Sequence, residues 1–465
     1  MRQPNKMRWY CFLTFTFDAL VKLAVKIGLE DKKFLRKPGT QEVSTIHGTI
    51  GLISIINFQN SWVLGFLRKV FFHPRRRLTF TIANFARGSF VCFFVPFFAV
   101  ATASSENSHS LSVTAIQDLM QSQLNNLASA KVGIYVWSIS KNREVLNYNS
   151  DRLMNPASNT KLLTTAAALH ELKPEYRFKT EIYADREPVK GEISGSLYIK
   201  GKGDPSLVSE RVWYLANELH ALGIRHIKGR VIGDDSFFDS QRAQAGWDED
   251  TSDDAYQALT SGLSVNFNTL TVRIRPGEKV GQPAFASFDP ATPFAELSNR
   301  VSTVLGNHAH ITIDVDEDKM HHRDHVRVSG RIGVDDSNHT FWRKVDYPTE
   351  YAAHVVTFFL GQVGIRVDAH ADRGLVPENA ISLLTIESPP LADIVSDLNK
   401  TSNNFVAEQI TKTLGAETEG APGTWEKGLT AITHYLTTQA QITEGSYQLR
   451  NGSGLGDVNR VTDNE

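Results

Sequence analysis

Cysteine is nearly absent: Cys11 and Cys92 are the two in 465 residues, and both precede residue 103. The body of the chain beyond that point can therefore hold no disulfide. Long apolar runs are also lacking. Phe90 to Ala101 reaches 12 residues and Ile46 to Phe58 is similarly short, where a membrane-spanning helix needs about 20. Positive charge is scarce after residue 103, with 34 Lys and Arg against 47 Asp and Glu, a net of −13. Residues 1–103 carry 15 against 4, a net of +11. So acidic a body argues against nucleic acid as a partner. What remains is ordinary for a folded chain of two or three domains, with 41% hydrophobic residues.

The boundary between the basic and acidic parts has the pattern of a secretory leader. Arg75-Arg76-Arg77 and Arg87 form a basic region, Phe90 to Ala101 an apolar core, and Ala101-Thr102-Ala103 a small-residue cleavage site. We expect residues 78–103 to be a signal peptide cleaved after Ala103, placing the body in the periplasm. Retention of the segment as a membrane anchor is the alternative, and peripheral membrane association is left open as a partner reading. Leaders begin near a chain's start, so residues 1–77 read as a misassigned N-terminal extension, the alternative being a genuine cytoplasmic or anchoring one.

The body is organised around Asn155-Pro156-Ala157-Ser158-Asn159-Thr160-Lys161 and the apolar run Leu162 to Leu169. Proline is tolerated at a first helical position, so Asn155 reads as a cap and Pro156 as the helix start. Ser158 then lies in the first turn, where its hydroxyl feels the positive end of the helix dipole and its amide has no intrahelical acceptor. Lys161 shares its face three residues on. A serine and a lysine so spaced on a buried helix form the skeleton of a Ser/Lys acyl-transfer site: the hydroxyl attacks, the amine takes its proton and the local amide faces the oxyanion. On the pattern alone, an ordinary helix start with a surface lysine is the alternative. Ser138 and Lys141 repeat the spacing, but Val132 to Trp137 alternates as a strand running into a turn at Lys141-Asn142-Arg143.

Residues 111–126 have helical spacing, and the strand from Val132 pairs with Glu144 to Tyr148. From Tyr176 to Val345 the chain reads as short strands broken by Gly and Pro: 179–183, 195–200, 228–232, 270–274, 310–315 and 325–328, with a helix over 210–222. Helical periodicity returns near Tyr351, with stripes Leu391, Ile394, Val395, Leu398 and Val406, Ile410, Leu414. These patterns predict an α+β domain from residues 104–175 and 346–465, interrupted by a β-rich insertion over 176–345. Asp314, Asp316 and Asp318 alternate ahead of His321, His322 and His325. A calcium loop would need glycine at Lys319 and glutamate at His325, so the run reads as a polar strand end and turn, and no metal is expected.

A short polar loop, Asn399-Lys400-Thr401-Ser402-Asn403-Asn404, separates the last two stripes. Together with Ser158-x-x-Lys161 it resembles the D-alanyl-D-alanine carboxypeptidase/endopeptidase family of the penicillin-binding protein 4 type, serine peptidase family S13. Longer strings carry the resemblance in the family's order: Gly203 to Leu207, Gly233 to Asp239, Leu263 to Asn268, Asn399 to Asn404 with Ala407-Glu408 behind, and Asn451-Gly452-Ser453-Gly454-Leu455. The resemblance implies a β-lactamase/transpeptidase-like fold, Ser158 as the acylated nucleophile, Lys161 as its base, Ser402 as a proton relay to the leaving amine, and Asn404 as a hydrogen-bond partner of substrate or Lys161. It also implies peptidoglycan peptides and β-lactam antibiotics as ligands and requires no metal or organic cofactor.

Family members carry a Lys-Thr-Gly motif after the Gly-Ser-Gly-Leu region. This sequence has none; Lys412-Thr413 is followed by Leu414, and Glu465 comes 61 residues after Asn404. The expectation is a chain truncated at its C-terminus, lacking a cleft-lining strand, a cation for the substrate carboxylate and the second oxyanion amide. Losing one such amide costs about 3 kcal/mol, or ~100- to 1,000-fold in rate. A non-catalytic cell-wall binding protein and a β-lactamase or esterase are the alternatives to a peptidase. The leader makes a direct prediction: N-terminal sequencing of the exported protein should read from Ser104, and recovery of residues 1–77 in the mature form would overturn it.

Overall fold

Alternation of side chains builds the hairpin of Ile134–Ser138 and Arg143–Tyr148. The computed structural model describes residues 14–16, 131–244, 247 and 252–464; the extension, the leader and the helix expected over 111–126 lie outside them. Two units divide the chain, one ending at Ser150 and the other beginning at Asp151. In the first, Ile134–Ser138 pairs antiparallel with Arg143–Tyr148, burying Val136 and Val145. Asn142 takes the left-handed conformation in the connecting turn, and the Lys141 amide donates to Ser138 Oγ at 3.3 Å. The second Ser-x-x-Lys pair is thus a turn contact.

Among the described residues, six α-helices order the second unit: α1 Thr160–Glu171, α2 Ser209–Ala221, α3 Pro348–Gln362, α4 Leu391–Thr401, α5 Asn404–Glu419 and α6 Trp425–Thr438. Four of them, α1, α4, α5 and α6, close one core around Ala167, Phe178, Leu398, Phe405, Ile410, Leu414 and Ile432. Helix α4 is the amphipathic case, burying Leu391, Ile394, Val395 and Leu398. Helix α5 is buried all round from Phe405 to Ala416 and touches both α1 and α6, which makes it the axis of this core.

The second core lies in the insertion. A five-stranded sheet runs in the order Asp372–Arg373, Val231–Asp234, Leu197–Gly201, Lys179–Ala184, Ile381–Glu387, with α2 and α3 packed together beside it. Two three-stranded sheets join it through Val272, Val301 and Val326. The insertion enters and leaves through adjacent strands: Lys179 pairs with Glu387, and the Phe178 amide donates to Ser388 Oγ at 2.9 Å.

This placement corrects the expected boundary at 345/346. The apolar face of α3, with Tyr351, Ala352, Val355 and Val356, packs on the insertion's sheet, so the chain regains the helical core at Leu391. Periodicity identified a helix there, but its spacing does not say which core receives it. The helix start is also revised: Ala157–Asn159 forms a 3-10 turn and α1 begins at Thr160, with Leu162 46% exposed.

A substitution pair tests the register. Ile410→Ala, at a fully buried site, should lower stability by about 2–5 kcal/mol. Leu162→Ala should change it by less than ~1 kcal/mol. Denaturant titration of both separates the two faces.

Candidate active site

The serine is presented by a turn. Asn155 Oδ1 accepts the Ala157 amide at 2.8 Å while its Nδ2 donates to Asp457 Oδ1 at 3.0 Å. Asn155 thus forms an Asx turn leading into the 3-10 turn, whose N-cap position is taken by Pro156 and not, as expected, by Asn155. Ala157 adopts φ +45, a left-handed conformation that non-glycine residues seldom take. The turn leaves Ser158 exposed, while Thr160 and Lys161 immediately beyond it are buried.

A loop from the far end of the chain covers the buried side. Asn459 Nδ2 donates to Thr160 Oγ1 at 3.1 Å and to Asn451 O at 3.1 Å, and Thr164 Oγ1 donates to Gly452 O at 2.8 Å. Gly454, at φ +77, abuts the strained Ala157: a Cβ there would lie 1.8 Å from the Ala157 carbonyl oxygen. Glycine is the residue that admits this approach.

Lys161 is 2% exposed and its Nζ has three acceptors: Ser453 O at 2.7 Å, Asn404 Oδ1 at 2.8 Å and Ser158 Oγ at 3.2 Å. Two of these are carbonyl oxygens, which only accept; the third is a hydroxyl, which can also donate. Loss of one proton therefore leaves the amine donating to Asn404 and Ser453, with its lone pair turned to the Ser158 hydroxyl. Burial lowers the amine from its ordinary range to about 8, with the nearby Glu408 carboxylate opposing that shift. A buried amine beside an exposed hydroxyl has the chemistry to serve as a base–nucleophile pair.

The loop between α4 and α5 brings the other expected residues. Ser402 ends α4 in the left-handed conformation, φ +57, with its amide on Leu398 O at 2.7 Å and its side chain exposed. Asn403 caps α5 by accepting the Val406 amide at 3.2 Å. Asn404, the first residue of α5, donates through Nδ2 to Tyr256 O at 3.1 Å, which fixes its Oδ1 toward Lys161. Ser158, Lys161 and Asn404 are thus joined by hydrogen bonds, and Ser402 stands two residues before Asn404 on the same corner.

Glu408 and the 451–459 loop were given no role by sequence reasoning. Glu408 is fully buried and accepts from the amides of Gly452 at 3.1 Å and Ser453 at 2.8 Å and from Trp425 Nε1 at 2.8 Å. A glutamate one helical turn from Asn404, among Phe405, Val406, Ala407 and Ile410, was the available signal. Elsewhere, Asp316 faces Arg327, and Asp318 faces His321 and Arg323. Among the described residues no group of three His, Cys, Asp or Glu is gathered for a metal.

Fold and site together set a buried amine against an exposed serine hydroxyl on an α+β scaffold. Residues 113–465 match the D-Ala-D-Ala carboxypeptidase 3 (S13) family, and the chain belongs to that family. It is 34% identical over 346 residues to a D-alanyl-D-alanine carboxypeptidase of Actinomadura sp. (strain R39), covering 72% of this chain and 63% of that relative. It is 24% identical over 333 residues to D-alanyl-D-alanine carboxypeptidase DacB of Haemophilus influenzae, covering 71% and 68%. The chain thus spans under two thirds of the Actinomadura relative's length. The crystal structure of penicillin-binding protein 4 (dacB) from Haemophilus influenzae superimposes with a TM-score of 0.60 at 24% identity, over 71% of this chain and 72% of that one. This likeness carries the fold.

The loop contact predicts a graded response to added methyl groups. Gly454→Ala should lower stability by more than about 2 kcal/mol, combining left-handed strain with the clash on Ala157. Gly445→Ala, at φ +94 in open space, should cost about 1 kcal/mol. Thermal melts of the two variants would check the difference.

Proposed function

We propose that this chain is a serine DD-peptidase that acts on peptidoglycan peptides through an acyl-enzyme on Ser158. The observation that carries the reading is the Lys161 amine, 3.2 Å from an exposed Ser158 hydroxyl, with its other two contacts taken by carbonyl oxygens. The neutral amine takes the hydroxyl proton as Oγ attacks the carbonyl carbon of the D-Ala-D-Ala bond. The oxyanion forms against the Ser158 amide at the start of the helix. The C–N bond then breaks, and the departing amine receives the proton from Lys161, relayed by the Ser402 hydroxyl; Asn404 orients the lysine. Water attacks the ester next, giving its proton back through Lys161, and Ser158 is regenerated. General base assistance of this kind contributes about 10²- to 10⁴-fold.

A β-lactam presents a strained amide to the same serine and would acylate it. A structure of the Haemophilus influenzae protein with a β-lactam, 22% identical over 71% of this chain at a TM-score of 0.55, shows that such a compound binds that relative. Export to the periplasm fits a cell-wall substrate and rests on the leader pattern. Among the described residues no helix is long and apolar enough to cross a membrane.

Labelling with a fluorescent penicillin tests the reading. The wild type should form a stable adduct that Ser158→Ala abolishes. Rapid release of hydrolysed drug would indicate a β-lactamase, and folded protein without adduct a cell-wall binder. Because the amine must be neutral to act, the acylation rate should rise with pH, about tenfold per unit below the transition, and level off above about 8. A rate independent of pH from 6 to 9 would remove Lys161 as the base.

A further inference from the structure

We propose that Glu408 is a positioning residue for Lys161: its buried carboxylate clamps the Gly452–Ser453 turn whose carbonyl holds the lysine, and it supplies the negative charge that the amine faces. The inference rests on the acyl-transfer reading of the site and extends it one shell outward. Ser453 is the bridge. Its amide donates to Glu408 Oε1 at 2.8 Å, and its carbonyl accepts from Lys161 Nζ at 2.7 Å. The other carboxylate oxygen is taken by the Gly452 amide at 3.1 Å and the Trp425 indole at 2.8 Å. Three donors on a fully buried carboxylate hold it in place.

The charges around it alternate. Lys161 reaches it from α1 and Lys412 from one turn further along α5. Lys412, with no exposed side chain, is held by Asp239 Oδ1 at 2.5 Å and Gln241 O at 2.7 Å and lies 4.3 Å from the centre of the Trp425 ring. Arg242, which also acts on Lys412, is paired with Asp235. The Lys412 charge is thus matched by Asp239, which leaves Glu408 as the counter-charge of Lys161. From α6 the group facing Glu408 is the neutral indole. Without the carboxylate, the amine would lose both an electrostatic partner and the support of one of its two fixed acceptors.

The test uses the full chain and two variants. Lys161 is titrated by NMR in protein carrying 13Cε-lysine, its signal assigned with Lys161→Met, and penicillin acylation is measured over the same pH range. Glu408→Gln should move the Lys161 midpoint down by at least about half a pH unit and shift the acylation profile with it. Glu408→Asp keeps the charge but shortens the reach to the turn. Its midpoint should stay within about 0.2 unit of wild type while acylation at the plateau falls roughly tenfold. A merely structural glutamate would change stability and leave the midpoint in place. Folded Glu408→Gln with an unmoved midpoint overturns the proposal. Should that variant fail to fold, Glu408→Asp acylating at the wild-type rate overturns it instead. A moved midpoint in a chain that forms no adduct would leave the coupling intact and remove the peptidase reading; an adduct with an unmoved midpoint would do the reverse.

Discussion

A single buried ammonium group sets the terms for this structure. Holding Lys161 in the interior depresses its proton affinity from 10.5 to about 8, equivalent to roughly 3 kcal/mol at neutral pH. The sign follows from linkage: between the folded and unfolded midpoints the unfolded chain binds the extra proton, so this contribution to stability improves as pH rises from about 8 toward 10.5. The same unfavourable burial makes the amine usable as a base. The penalty is limited because three acceptors meet the amine and a carboxylate stands behind one of them.

Those acceptors come from three separated parts of the chain. Asn404 lies 243 residues after Lys161 and Ser453 292 residues after it. Their convergence depends on α5, the helix buried on every side, which places Asn404 at its start and Glu408 one turn in. The 451–459 loop is then fastened to α5 through Glu408 and to α1 through Thr160 and Thr164. Apolar packing locates the helices, and buried polar bonds fix their axial register, since each unpaired partner would cost about 1–3 kcal/mol.

The insertion is tied to the same helix. Gln409, fully buried next to Glu408, donates to Ser261 O at 3.0 Å and Ser264 Oγ at 3.2 Å, while its Oε1 accepts the Ser261 amide at 3.3 Å. Asp235 collects Arg242, Arg373 and Thr349, its carboxyl held below the ordinary range although burial pushes it up. Tyr256, also from the insertion, orients Asn404 through its carbonyl. The strings Gly233 to Asp239 and Leu263 to Asn268 supply part of this polar joint between the two cores.

The sequence by itself determined part of the local elements and the pairing of Ser158 with Lys161. Strand alternation, the stripes of α4 and α5, and the spacing of Ser158 to Lys161 are properties of neighbouring residues, and a chain written as text preserves them. It also separated Ser158 from Ser138, because a strand ending in a turn differs locally from a helix start. Tertiary structure decided the rest. Whether α3 faces the sheet or the helical core, how Ala157 and Gly454 meet, and which carboxylate stands behind Lys161 depend on contacts between residues that are not neighbours in the chain. Such contacts leave no period in the sequence. Glu408 reads there as one more acidic residue on a helix, and only burial against Gly452, Ser453 and Trp425 gives its charge a direction.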